Sequence, residues 1–124
     1  MRVSLALPAA GASATTDAID LDSASPRTTL EDVDWQISVP ALPALVADKT
    51  VTVTIQDSAN GIAFAAIPGL APLEITGGEG NGAEAVEHDF KLPPTVRQYV
   101  RAHLAVAASG GNNTGVEVTL KALF

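Results

Sequence analysis

From Thr50 to Gln56 the chain alternates without a break: Val51, Val53 and Ile55 are apolar and β-branched, with Thr50, Thr52 and Thr54 between them. A period of two sends alternate side chains to opposite faces of a strand, whereas a helix needs apolar residues every three or four positions. The same period returns in Trp35, Ile37 and Val39, and in Val86, His88, Phe90 and Leu92. It returns again in Val100, Ala102, Leu104 and Val106, and in Val116, Val118, Leu120, Ala122 and Phe124. No stretch carries a helical repeat. A chain built this way must bury one face of each strand against another sheet.

The breaks between rows are turn chemistry. Pro40 stops the Trp35 strand, because proline has no N–H to give to a neighbour. Asp57-Ser58-Ala59-Asn60-Gly61 ends the Thr50 strand, with Asn-Gly suited to the positive φ of a tight turn. Ile62 to Ile67 leads back to Pro68-Gly69, and Thr76 to Gly82 is glycine-rich enough to predict a flexible loop. Pro93-Pro94 opens the Val100 strand, and Ser109-Gly110-Gly111-Asn112-Asn113-Thr114-Gly115 separates it from the last row. The spacing predicts a terminal hairpin whose second strand ends inside the fold. Ile19 and Leu21 against Asp20 and Asp22 suggest a short exposed strand, and Ser23 to Asp34 a polar loop around Pro26.

These rows predict an all-β protein, an antiparallel β-sandwich or jelly roll, in one domain over residues 1–124. At 124 residues the chain can bury one core and not two. Aromatics are only 4% of it, so the core must rest on Val, Ile and Leu, anchored by Trp35, Phe64, Phe90, Tyr99 and Phe124. Residues 1–14 look like a signal peptide in outline, but the apolar run is short and broken by Pro8. We read them as an extended N-terminal arm or a first strand. No stretch approaches the ~20 apolar residues of a membrane span, and we expect a soluble protein that does not engage membranes.

The chemistry the chain can support is narrow. A formal charge of −7 argues against nucleic acid, whose binders carry a clustered basic face. With no cysteine there is no thiol nucleophile and no thiolate metal site. A Ser–His–Asp relay would need His88 or His103, neither of which lies in a nucleophile-elbow sequence. His88 reads as a histidine at the core edge. Two histidines are too few for structural zinc. Calcium stays open, because Asp17, Asp20 and Asp22, or Glu31, Asp32 and Asp34, could assemble without a motif. The Gly77–Gly82 run lacks the Lys-Ser/Thr ending of a phosphate loop. We expect no enzyme, no cofactor and no metal.

Opposite the inner row of the Val100 strand stand Arg97, Tyr99, Arg101 and His103. Arg and Tyr are enriched where interfaces concentrate their energy, which makes this row the candidate contact surface. It reads equally as a solvated face with a ring lying over an Arg stem.

One resemblance adds to this reading. Thr52-Val53-Thr54-Ile55-Gln56-Asp57-Ser58, running through Phe64 to Ile67-Pro68-Gly69-Leu70, is followed by Leu92-Pro93-Pro94 leading into Arg97-Gln98-Tyr99-Val100-Arg101. With the terminal pair of strands, this resembles the capsid cement (decoration) proteins of tailed bacteriophages, of the jelly-roll type. It covers residues 50–124; the first 50 match only in length and polarity. The resemblance implies a structural virion protein on the outer capsid surface, made in the host cytoplasm. Its partners would be the major capsid protein and its own copies, as a homodimer or homotrimer. The alternative is an exported β-sandwich module that binds carbohydrate or a cell surface.

Overall fold

The structure is a computed structural model, and it describes residues 2–21, 34–93 and 95–123. The Thr50 row forms β5 (Thr50–Ser58), with Val51, Val53 and Ile55 buried and the threonines half-buried on the other side. The Val100 row forms β9 (Tyr99–Val106), antiparallel to β5 from Val51↔Val106 to Ser58↔Tyr99. Val100, Ala102, Leu104 and Val106 all face inward. Between them these two strands form the middle of one sheet.

The remaining strands are β1 (Arg2–Ala6), β2 (Ser13–Thr15), β3 (Ile19–Asp20), β4 (Asp34–Val39), β6 (Ala65–Ala66), β7 (Leu73–Thr76), β8 (Val86–Phe90) and β10 (Glu117–Leu123). The first sheet runs β1-β10-β4-β8; the second runs β2-β9-β5-β6, with β3 also on β9 and β7 also on β5. Every strand pairing is antiparallel, and no α-helix occurs among the described residues. The molecule is an all-β sandwich. Trp35, Ile37, Val39, Val118 and Leu120 come from the first sheet and pack in one cluster with Val51, Val53, Val100 and Leu104 from the second. Each such side chain contributes about 1.5–3 kcal/mol when fully buried. The polar loop expected over residues 23–34 lies outside the described residues except for Asp34, as do Asp22, Glu31, Asp32, Pro94 and Phe124.

Several expectations are corrected. β9 and β10 do not form a hairpin: β9 belongs to the second sheet, while β10 sits in the first between β1 and β4. A one-sided apolar row can be buried beside its neighbour or across from it, and residues 107–116 are long enough to cross the ~10 Å between sheets. Of the two readings of the N-terminus, Arg2–Ala6 takes the first strand and not a projecting arm: it lies along β10 of its own chain, with Leu5 opposite Val118. Ser13–Thr15 then lies along β9. Without β1, the edge of β10 would be unpaired. β7 escapes sequence reading because Ile75 is its one fully buried residue. His88 shares the side of Ile37, its partner, yet stands exposed, because β8 is the outermost strand of its sheet.

The glycine run at 77–82 is strapped down. Gly77 N donates to Lys49 O at 2.9 Å, Gly82 N to Leu45 O at 2.7 Å, and Ala47 N to Asn81 Oδ1 at 3.1 Å. A Cβ on Gly77 would strike the Val46 carbonyl oxygen, so this glycine is there for close approach. Val46 N in turn donates to Gly110 O at 3.0 Å and Ala44 N to Asn113 Oδ1 at 3.2 Å. The loops at this end brace one another. The β5–β9 register puts the segments 59–64 and 95–98 at the other end, and these position the candidate site.

Candidate interface on the outer face of the second sheet

The β9 register sends Tyr99, Arg101 and His103 outward. Ser58, Gln56 and Thr54 of β5 lie directly opposite them, and Thr15 of β2 flanks His103 on the other side. Gln56 and Arg101 are therefore cross-strand neighbours, and Arg101 Nε donates to Gln56 Oε1 at 2.9 Å. Phe64 returns over the same strands, and the Arg101 guanidinium carbon sits 3.9 Å from the centre of its ring. A cation stacked on a ring near the surface gains about 0.5–1 kcal/mol, and the stacking fixes the plane of the fork; Phe64 itself is half-buried. Arg101 makes no ion pair with any described residue.

The turn that carries Phe64 into place is stiffened by two side chains. Ser58 Oγ accepts from Asn60 N at 3.2 Å and Gly61 N at 2.9 Å, and it donates to Asn60 Oδ1 at 3.0 Å. Asn60 Oδ1 also accepts from Ile62 N at 2.9 Å and Ala63 N at 3.1 Å. Gly61 alone takes the positive φ of the expected Asn-Gly turn, at 75°, and a Cβ there would lie 3.5 Å from the Tyr99 ring. On this turn Ile62 is 84% exposed, the most exposed large apolar side chain among the described residues.

Arg97 does not join the row as a free cation. Asp57 continues the inward series of Val51, Val53 and Ile55, and it is buried. Arg97 N donates to its Oδ2 at 3.0 Å, Nε to Oδ1 at 3.0 Å, and Nη2 to Oδ1 at 2.7 Å. Nη2 also donates to the Asp57 carbonyl at 2.9 Å. The hydrogen bond to Asp57, and then its charge, raise the Arg97 guanidinium above its ordinary value against the opposing effect of desolvation. The pair locks the 95–98 segment onto the end of β5. An inward position held by a carboxylate was the sequence signal for it, since a buried charge requires a partner. Ile62 and Phe64 were missed as members of the face because capping side chains, which leave no periodic trace, set their placement.

The other singled-out residues are scattered. His88 stacks on Phe90 at 6.3 Å between ring centres on the outermost strand of the first sheet. Asp20 accepts from Gln98 Nε2 at 3.1 Å, and Asp34 pairs with Lys91 at 2.9 Å. Among the described residues, no three His, Asp or Glu side chains gather where they could hold a metal ion. An open depression of about 470 Å³ lies between β7 and the approach to β8, lined by Ile75, Thr76, Gly78, Gly82 and Val86, with Glu74 and Glu84 among its walls. Trp35 is fully buried, as a core anchor should be, and offers no platform on which a sugar could stack. No helix among the described residues is long and apolar enough to cross a membrane. No protein-family model and no curated protein sequence matches the chain.

Proposed function

We propose that the protein is a capsid cement protein: a structural virion component that sits on the outer surface of a phage shell and ties adjacent major capsid subunits together. The observation that carries this reading is the outer face of β5 and β9. There Arg101 is stacked on Phe64, and Ile62, two residues before that ring, is exposed on the same braced turn, which is the equipment of a docking surface. Two further points support it. The strand order β1-β10-β4-β8 over β2/β3-β9-β5-β6/β7 fits a jelly roll, in which successive strands wrap back and forth between sheets, an architecture common in viral shell proteins. The resemblance over residues 50–124 points the same way. The exported sugar-binding module has weaker support, because Trp35 is core and Phe64 lies under Arg101.

Mixing the purified protein with empty shells of the phage that carries it, followed by gradient sedimentation, tests this. The protein should travel with the shells at saturating, symmetry-fixed copy number and raise their resistance to heat. Protein that stays at the top of the gradient at every salt concentration refutes the cement reading.

A further inference from the structure

We propose that Arg101 is a preorganised receptor for a carboxylate of the shell, and that Ile62, on the turn that carries Phe64 over Arg101, is the accompanying apolar plug; this rests on the shell-binding reading above. Four features of the face lead there. The guanidinium is held on one side by Gln56, at 2.9 Å from Nε, and underneath by the Phe64 ring at 3.9 Å. That leaves its Nη groups as a fork with no ion-pair partner among the described residues. A planar fork fixed in place loses little freedom on binding and matches a carboxylate in bidentate fashion. The chain as a whole carries −7, so an arginine with no ion-pair partner among the described residues marks a part of this face suited to an acidic partner. Ile62 is 84% exposed on a turn braced by Ser58 and Asn60, so its apolar surface is also presented without an ordering cost. Arg97, at the same end of the strand, is taken by Asp57 and has no part in the contact. The occupant is therefore a shell loop that offers an Asp or Glu next to an apolar recess.

The test is shell co-sedimentation with four variants, each first shown to melt like the parent. Arg101→Glu should weaken binding at least ~100-fold, as like charges now face each other, and Arg101→Lys about 5–10-fold, as the fork is lost. Ile62→Asp should weaken it about 30-fold. Lys121→Glu, on the outer face of the other sheet, should leave it unchanged. Shells whose carboxylates are capped with carbodiimide and methylamine should bind the parent poorly and Arg101→Glu no worse than before. If the parent binds and the Arg101 and Ile62 variants bind equally well, the inference falls and the cement reading stands. If the parent does not bind, both fall. Variants that lose self-association by light scattering yet still bind shells would assign the face to a second copy and overturn the proposal. Competition by a short DNA duplex, abolished by Arg101→Glu, would assign it to phosphate and overturn it likewise.

Discussion

Arg97 grips Asp57 from two directions, with its backbone N–H on Oδ2 at 3.0 Å and its guanidinium on Oδ1 at 2.7 and 3.0 Å. The Asp57 side chain is 4% exposed, while that of Arg97 is 44% exposed. The two ends of the pair are thus unequal. Asp57→Ala leaves a backbone N–H and a guanidinium without their acceptor, and should cost about 2 kcal/mol by urea denaturation. Arg97→Ala should cost less only if water reaches the carboxylate; a loss equal to or larger than that of Asp57→Ala would show that Asp57 stays dry.

Leu120 is buried in β10, between β1 and β4. Deleting residues 120–124 removes it together with the middle of the first sheet's ladder, and should abolish soluble folding. Leu104→Ala, on the facing sheet, should cost about 2–5 kcal/mol while keeping the fold. A truncated chain with the parent's melting curve would mean that β10 is dispensable.

Three glycines separate space from backbone conformation. Gly111 has φ 92° and its Cβ would strike the Ala44 carbonyl; Gly69 has φ 83° and open surroundings; Gly115 has open surroundings and no positive φ. Replacement by alanine should therefore cost about 3 kcal/mol at Gly111, where overpacking adds to strain. At Gly69 it should cost about 1 kcal/mol, and at Gly115 it should be neutral or slightly stabilising. Thermal melts of the three variants check the order.

Removing residues 2–6 strips β1 from β10 and uncovers a strand edge whose inner face carries Val118 and Leu120. The shortened protein should be less stable and should associate as its concentration rises, which light scattering detects. Unchanged melting and a constant mass would show that β1 adds nothing to the sheet.

The facing of the long strands was legible from residues alone, because burial on one side forces the period: Val51, Val53, Ile55, Val100 and Leu104 are inward as read. Which strand lies next to which was not. Alternation defines a face and leaves the neighbour open, so β9 and β10 read as a hairpin although they lie in opposite sheets. β7 was invisible because a strand with Ile75 as its single buried residue has no period to show. Of the candidate row, Tyr99, Arg101 and His103 do share a face, since one strand carries all three. Arg97 precedes that strand, and its fate depended on Asp57, which the adjacent turn residues disguised.

The place of β10 has a consequence for how the chain comes to be folded. It is synthesised after every strand it joins, and both of its neighbours, β1 and β4, must wait for it. Until then β1 has no partner in its sheet, and the Trp35 strand keeps an open edge. Pairing residue 2 with residue 121 closes a loop of nearly the whole chain, and such distant contacts slow folding. Before β10 is made the first sheet can hold no more than the β4–β8 pair, and it is completed only after translation has passed residue 123. A nascent chain stalled before that point presents sticky edges that chaperones, or its own copies, are free to capture.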